Sequence, residues 1–421
     1  MDEIEIPQYF VCPISLQIMK DPVTTATGIT YDRDTIQQWI SSSSATAAVV
    51  YCPVTKQALT PGSELTPNHM LRRLIQAWCV ANANNGVDRI PTPKSPLHRA
   101  SVIKLLRDVN RNVLTSLKKL DELAGESVKN RECMAEAGVA KAMILFVLRC
   151  FRSRGDYNNN ININYVGVEE AFRILQLTWR NSDENKNLVE DNLDFVESVL
   201  WVLRNADVGN SAKTHALMVL KNVMEIASSN LLANLELDFF EEIVKVLRRN
   251  CLQVDVIKAA LHVLIQTCTS GRNRTRIVEA GGVFAAVEVE IGGGGGTAEE
   301  KRISELVFCL LAELCSCADG RQEFLRHAGG IAVAAKRLLR VSPAVDDRAM
   351  YVFESIARFS ATREVVAEML RVGAVSKMCM VLQADCAGYL KKKARQILRL
   401  HSNAWTNSPC IQVYLLSMNP R

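Results

Sequence analysis

The 421-residue sequence lacks any apolar run near the roughly 18 residues that a membrane-spanning helix needs. Its acidic first residues, 1–5, lack the basic and apolar regions of a signal peptide. The thirteen Cys residues are scattered, and no Cys-x-x-Cys pair occurs. We therefore expect reduced thiols, no disulfide framework, and a location in the cytoplasm or the nucleus.

Charge is unevenly distributed along the chain. Residues 391–421 contain six Lys or Arg residues and no acid, whereas residues 1–80 contain five basic and seven acidic residues. The stretch between them is almost neutral. Because a nucleic-acid binder usually carries a basic face across its reading domain, we expect no nucleic-acid partner.

Composition and local patterns predict a mainly α fold with two parts. Residues 6–80 combine turn signals with two helix patterns, which indicates a small α+β domain. The first helix is expected to be capped by Asp32 and to bury Ile36, Trp39 and Ile40. Residues 81–98 contain Asn, Gly and three prolines and read as a linker. Residues 99–405 show one helix pattern after another, and residues 406–421 form a C-terminal tail.

The helical part contains an internal repeat. An apolar stripe that follows a Gly or Asp occurs six times, and successive copies begin 43 to 56 residues apart. The copies are residues 138–147, 194–203, 238–247, 282–291, 330–339 and 373–382. The longest spacing contains an Asn-rich insertion, and another contains the run of five glycines at 292–296, which no Gly-Lys-Ser/Thr follows. The remaining period resembles the armadillo repeat and predicts a stacked α-solenoid. The alternative is a set of unrelated helices of similar length.

The N-terminal domain contains two similar loops, Cys12-Pro13-Ile14-Ser15-Leu16 and Cys52-Pro53-Val54-Thr55, which flank the Trp39 helix. Together with further motifs of residues 6–79, these loops closely resemble the U-box. The shared motifs are Asp21-Pro22-Val23, Thr30-Tyr31-Asp32-Arg33, Pro67-Asn68-His69 and the pattern from Leu71 to Cys79. A U-box followed by armadillo repeats is similar to the plant family of U-box E3 ubiquitin ligases. The linker also resembles that of the subgroup associated with stress and immune responses.

The resemblance implies that the U-box docks a ubiquitin-charged conjugating enzyme and promotes transfer to substrate lysines without a catalytic residue or a covalent ubiquitin intermediate. It places the docking surface at Ile14, Leu16, Trp39 and Pro53. It places Lys56 where the family often has an Arg that hydrogen-bonds both ubiquitin and the conjugating enzyme. This sequence departs from the family pattern there, because lysine cannot form the bidentate fork of arginine.

Metal is not expected in the U-box, because two tetrahedral zinc sites need eight Cys or His ligands. Residues 1–80 supply only Cys12, Cys52, Cys79 and His69. The resemblance implies a network of side-chain hydrogen bonds instead, for which the candidates are Asp21, Tyr31, Asp32, Arg33 and Asn68. We expect no cofactor. Cys12 and Cys52 precede prolines and have no basic neighbour in sequence, so a structural role is favoured over a nucleophilic one.

The armadillo repeats are expected to select a protein substrate. Alignment of the third helices of successive repeats lacks the Trp and Asn array of nuclear-import carriers and offers His262, Phe308 and Tyr351 as groove residues. Ordinary core packing is the alternative for these three. The basic helix near residues 389–400 reads as a capping repeat, with attraction to an anionic membrane or an acidic partner as the alternative. The exposed loops also allow a homodimer, and a scaffold with an inactive U-box is the rival function.

Overall fold

A computed structural model describes residues 6–44, 50–59, 65–82, 97–109, 113–153, 166–248, 253–293, 296–405, 408–409 and 411–412. The chain divides into two compact units, Met1–Pro96 and Leu97–Arg421. Each unit has its own hydrophobic core.

The first unit is a small α+β domain. It begins with a single 3-10 turn at Gln8–Phe10, and its strands are β1 (Pro22–Thr24), β2 (Thr30–Asp32), β3 (Val50–Tyr51), β4 (Ala58–Leu59) and β5 (Thr66–Pro67). Strands β2, β1 and β5 form an antiparallel sheet in that order, and β3 pairs with β4 as a separate hairpin. Helix α1 (Arg33–Ser44) follows β2, and α2 (His69–Ala81) follows β5.

A polar residue directly precedes each helix of this unit. Asn68 caps α2, since its side chain accepts a hydrogen bond from the Leu71 amide. Asp32, the expected cap of α1, directly precedes that helix, and its Oδ1 accepts from the amides of Lys20 and Asp21. Those two amides belong to the loop before β1, so this carboxylate ties the loop to the end of β2.

The second unit is a helical solenoid. Two helices, α3 (Arg99–Asp108) and α4 (Val113–Glu126), precede six triplets of first, second and third helices. The triplets are α5 (Val128–Glu136), α6 (Val139–Arg152) and α7 (Val168–Thr178); α8 (Asp183–Val189), α9 (Leu193–Arg204) and α10 (Asn210–Ile226); α11 (Ser229–Ala233), α12 (Leu237–Leu247) and α13 (Val254–Thr267); α14 (Gly271–Glu279), α15 (Gly282–Gly292) and α16 (Ala298–Leu314); α17 (Ala318–Arg326), α18 (Gly330–Arg337) and α19 (Pro343–Phe359); α20 (Arg363–Arg371), α21 (Ala374–Gln383) and α22 (Gly388–Leu400). A short helix, α23 (Ser402–Trp405), ends the array.

The six apolar stripes seen in the sequence are the second helices of these triplets. Three of them begin after a glycine with positive φ, namely Gly138 (80°), Gly281 (82°) and Gly373 (79°). This left-handed conformation turns the chain sharply from the first helix into the second, and glycine adopts it without steric cost. In the sequence these turns are marked by a recurring motif, Glu136-Ala137-Gly138, Glu279-Ala280-Gly281 and Arg371-Val372-Gly373.

Stacking of equivalent helices builds one continuous core. Each third helix packs against the third helix of the next triplet, from α4 to α22, and the second helices pack in a parallel row. The apolar side chains between the two rows are almost all inaccessible to solvent. At the C-terminal end, α22 buries Leu390, Ala394 and Ile397 and exposes Lys392 and Arg395. No helix in the described part of the chain has the length and apolar character of a membrane span.

Candidate functional site

The candidate site of the first unit is built from two loops with the same backbone geometry. In the first loop (residues 12–17), the Cys12 amide donates to the Gln17 carbonyl at 2.8 Å, and the Leu16 amide donates to the Cys12 carbonyl at 2.9 Å. These two bonds close a tight turn and leave Leu16 at φ 56°, a left-handed conformation that a residue with a Cβ rarely adopts.

The second loop (residues 52–57) repeats these bonds. The Cys52 amide donates to the Gln57 carbonyl at 2.8 Å, and the Lys56 amide donates to the Cys52 carbonyl at 3.0 Å. Lys56 has φ 60°. The loops are therefore equivalent residue by residue, so that Val54 corresponds to Ile14 and Lys56 corresponds to Leu16.

Large apolar side chains are exposed on and around the two loops. Leu16 is 77% exposed and Trp39 is 38% exposed, while Ile14 and Pro53 are half-buried. The burial expected for Trp39 is therefore only partial. Two residues that the sequence did not single out, Tyr51 and Val54, are each at least half exposed.

Trp39 is linked to the second loop by a hydrogen bond. Its indole Nε1 donates to the carbonyl of Tyr51 at 3.1 Å. Tyr51 directly precedes Cys52 and Pro53, so this bond ties helix α1 to the strand that enters the second loop.

The cysteine at the start of each loop is fully buried, with 0% exposure. The Cys52 Sγ lies 3.0 Å from the Tyr31 hydroxyl and 3.4 Å from Thr27 Oγ1, and it accepts from the Thr55 amide at 3.5 Å. Burial alone would raise the pKa of Cys52, but the hydrogen bonds from Thr27, Thr55 and Tyr31 outweigh it and lower the pKa to about 6.

Cys12 is held in the same manner. Its Sγ accepts a hydrogen bond from the Asp32 amide at 3.3 Å. Burial raises the pKa of Cys12, and the hydrogen bonds from the Ser15 and Asp32 amides more than offset this, so that the pKa is lowered overall. The sequence had offered no basic neighbour that would lower either pKa, and the cause is a set of neutral donors.

A second polar network connects the sheet to both helices. Asp21 Oδ2 accepts from Arg33 Nε at 2.6 Å, and Asp21 Oδ1 accepts from Arg72 Nη1 at 3.2 Å. The Asn68 amide donates to the Pro22 carbonyl at 2.9 Å. Arg72 was not among the sequence candidates. Within the described ranges, no group of three or more His, Cys, Asp or Glu side chains is arranged to hold a metal ion.

The third-helix row of the second unit carries the other set of candidates. Phe308 is fully buried at 0% exposure, so the prediction that it faces the groove is wrong. His262 is half-buried, and Tyr351 is 37% exposed beside Lys393, whose Nζ lies 5.7 Å from the tyrosine ring centroid.

The caps of the third helices explain the error. The caps of α13, α16 and α19 are Gln253, Thr297 and Ser342, so His262 and Tyr351 both lie nine residues after their caps. The residue at that place in α16 is Leu306, which is half-buried. Leu306, not Phe308, aligns with the other two.

The fold and the two-loop surface define the class of this protein: a U-box joined to an armadillo-type solenoid. The family described as "U-box domain" matches residues 6–84, and the family described as "Plant U-box protein ARM repeat region" matches residues 97–420. The chain therefore belongs to the plant U-box proteins with an ARM repeat region, and it is a U-box E3 ubiquitin-protein ligase.

Similar proteins cover nearly the whole chain. E3 ubiquitin-protein ligase PUB24 of Arabidopsis thaliana is 42% identical over 99% of this chain and 96% of its own length. E3 ubiquitin-protein ligase PUB23 of the same organism is 39% identical over 100% of this chain and 98% of its own length. A crystal structure of an engineered protein, 18% identical, has a TM-score of 0.50 over 74% of this chain and 72% of that one, which supports the fold.

Proposed function

We propose that the U-box acts by docking a ubiquitin-charged conjugating enzyme on Ile14, Leu16, Trp39 and Pro53. The observation that supports this proposal is that Leu16 and Trp39 remain exposed, although the Leu16 backbone is hydrogen-bonded within the first loop and Trp39 lies in helix α1. Aromatic and large apolar residues of this kind supply most of the binding energy in protein interfaces. A pre-formed surface loses little conformational entropy when the partner binds.

Transfer proceeds by positioning, with no ubiquitin thioester on the U-box. The only thiols of residues 1–80 are Cys12, Cys52 and Cys79, and all three are at most 1% exposed, so none is accessible to the ubiquitin thioester. Holding the charged conjugating enzyme beside a substrate lysine converts a bimolecular step into an effectively unimolecular one. This can lower the activation barrier by up to about 7–11 kcal/mol in favourable cases.

Lys56 is proposed to contact ubiquitin and the conjugating enzyme together. The exposed side chain projects from the left-handed residue of the second loop. Because lysine presents a point charge where arginine presents a planar fork, Lys56→Arg should raise the rate of ubiquitin discharge about 2- to 10-fold. Single-turnover discharge of ubiquitin to free lysine measures this rate. Lys20→Arg is the control, because Lys20 is an exposed lysine that follows the first loop. An unchanged rate would remove Lys56 from the mechanism.

The decisive test of docking is reconstitution with purified activating enzyme, conjugating enzyme and ubiquitin. Trp39→Ala should abolish chain formation and leave the folded state intact, as circular dichroism would show. Full activity of a folded Trp39→Ala protein would reject the docking surface. Absence of activity in the unaltered protein with every conjugating enzyme tested would favour the non-catalytic scaffold.

Substrate selection is proposed to lie in the third-helix row, where His262, Leu306 and Tyr351 form an aligned set of partly accessible side chains. Equivalent positions on stacked helices present one side chain per repeat to an extended partner. The fragment 97–421 should capture the substrate, and the fragment 1–96 should retain chain formation. Substrate binding by the 1–96 fragment would contradict this assignment.

The physiological setting is proposed from the linker resemblance alone: stress or immune signalling in a plant cell, with the protein in the cytoplasm or the nucleus. Imaging of a fluorescent fusion before and after an immune elicitor tests the location. Exclusive association with a membrane would contradict it.

A further inference from the structure

Tyr51 stands on the outward face of the β3–β4 hairpin. In this two-stranded pairing Val50 lies opposite Leu59, and both are buried, whereas Tyr51 lies opposite Ala58, and both are exposed. The small alanine does not cover the tyrosine ring, which is 53% exposed. An aromatic ring left uncovered beside a small cross-strand neighbour is available to a partner.

The position of Tyr51 is continuous with the proposed docking surface. Its carbonyl accepts the indole hydrogen bond of Trp39 at 3.1 Å, and the next two residues along the chain are Cys52 and Pro53. Tyr51 is therefore bracketed by two members of the docking set, one through a hydrogen bond and one through the chain. Val54, 50% exposed, follows on the same loop.

The chemistry of Tyr51 suits an interface. No hydrogen bond of its hydroxyl is found among the described residues. Tyrosine combines a large apolar ring with a polar tip at low cost in side-chain entropy, and it is enriched among residues that dominate binding. A valine or threonine at position 51 would have a similar strand propensity, so the strand itself does not require the exposed ring.

We propose that Tyr51 is a specificity-determining contact for the conjugating enzyme, which it meets beside Trp39 and Pro53. The inference rests on the proposed docking function and extends it to a residue outside the loops. The ring packs against the enzyme's apolar contact residues, and the hydroxyl donates to or accepts from a polar group at the edge of that contact. Conjugating enzymes that differ in this polar group are thereby discriminated.

The test uses the full chain with the variants Tyr51→Thr and Tyr51→Phe. Thr retains strand propensity, and Phe removes only the hydroxyl. Tyr51→Thr should weaken the binding of conjugating enzymes about 5- to 30-fold, measured by titration, and should raise the KM for the charged enzyme with kcat almost unchanged. Tyr51→Phe should weaken the binding of some conjugating enzymes in a panel and leave the binding of others unchanged.

Two further variants make the result unambiguous. Met70→Ala is the matched control, because Met70 on α2 is 68% exposed and lies outside the docking set; it should bind as the unaltered protein does. Trp39→Ala tests the proposed function itself. If Trp39→Ala loses binding and Tyr51→Thr stays within about 2-fold of the unaltered protein, the Tyr51 inference is overturned while docking stands. If Trp39→Ala binds normally, docking itself fails.

Self-association is the remaining outcome. A change in sedimentation mass of Tyr51→Thr, with unchanged affinity for every conjugating enzyme, would assign the ring to a second copy of this chain. That result would also overturn the inference.

Discussion

The buried thiol of Cys52 should make the stability of the U-box depend on pH. Its Sγ has three hydrogen-bond donors around it, from Thr27, Tyr31 and Thr55, and these lower its pKa from the ordinary 9.0 to about 6. A group with a lower pKa in the folded state favours folding in its ionised form. Replacement by serine keeps a small hydrogen-bonding side chain and removes the ionisation near neutral pH.

The sign and size follow from linkage. The stabilisation is complete above the unfolded value of 9.0 and is lost as the pH falls through about 6. With about 1.4 kcal/mol for each pH unit between the two values, the contribution is about 0.5 kcal/mol at pH 6 and about 2–3 kcal/mol at pH 8. Ionisation of Cys52 should therefore make the unaltered U-box about 2 kcal/mol more stable at pH 8 than at pH 6, and Cys52→Ser should lack this part of the pH dependence.

Native-state hydrogen exchange in the full chain measures this difference. The opening free energy of peptides that cover residues 22–32 and 50–59, corrected for the intrinsic pH dependence of exchange, reports on the U-box alone. Cys79→Ala is the matched control: Cys79 is equally buried, but burial alone raises its pKa, so its removal should lower stability without changing the pH slope. Equal slopes for Cys52→Ser and the unaltered protein would refute the reasoning.

Four further substitutions test the packing of both units. Asp21→Asn removes the charge that Arg33 and Arg72 share, and it should cost about 1–2 kcal/mol in urea unfolding; no change would mean that solvent screens these pairs. Glu290 forms a buried ion pair with Arg337 in the solenoid. Glu290→Ala leaves the Arg337 guanidinium almost fully buried without a counter-charge and should cost about 3–5 kcal/mol, seen as a lower melting temperature of the solenoid. Phe308→Ala should also cost about 3–5 kcal/mol of stability. Leu306→Ala should change stability by less than about 1 kcal/mol and should weaken substrate binding. The reverse pattern would contradict the alignment of Leu306 with His262 and Tyr351.

The sequence predicted the helical elements well because their signals are local. Apolar residues at helical spacing mark the second helices, and glycines such as Gly281 mark the turns that precede them. The U-box helices were likewise found from their apolar faces, although the cap at Asn68 was not predicted. Each of these signals lies within about four residues of the feature that it predicts.

Contacts between residues distant in sequence were harder to predict. Asp32 has the residue type and place of a helix cap, and no sequence signal indicated that its Oδ1 accepts from the amides of Lys20 and Asp21, which lie 12 and 11 residues earlier. Arg72 reaches Asp21 across 51 residues. Nothing in the local sequence ranks these partners above the nearer ones, because the tertiary fold brings them together and the chain order does not.

The register of the third helices shows the same limit within a repeat. The partly accessible residues His262, Leu306 and Tyr351 occupy equivalent places on their helices. Phe308 lies two positions after Leu306 and is buried. The glycine run before α16 obscures the starting point from which that helix is counted. Counting from the cap at Thr297, which forms a capping box with Glu300, restores the alignment. The cap is readable in the sequence as Thr-x-x-Glu, so the correct register was accessible without coordinates.

The two equivalent loops of the U-box show what a repeated local sequence can reveal. Both read Cys-Pro, then a β-branched residue, then Ser or Thr, and both end in Gln. Both force a residue with a side chain into the left-handed region, which costs about 1–2 kcal/mol that glycine would avoid. One loop places Leu16 there and the other places Lys56. Because the two backbones have the same geometry, the loops differ in function only through these two side chains. We propose that the apolar Leu16 contacts the conjugating enzyme, whereas the charged Lys56 contacts ubiquitin and the conjugating enzyme together.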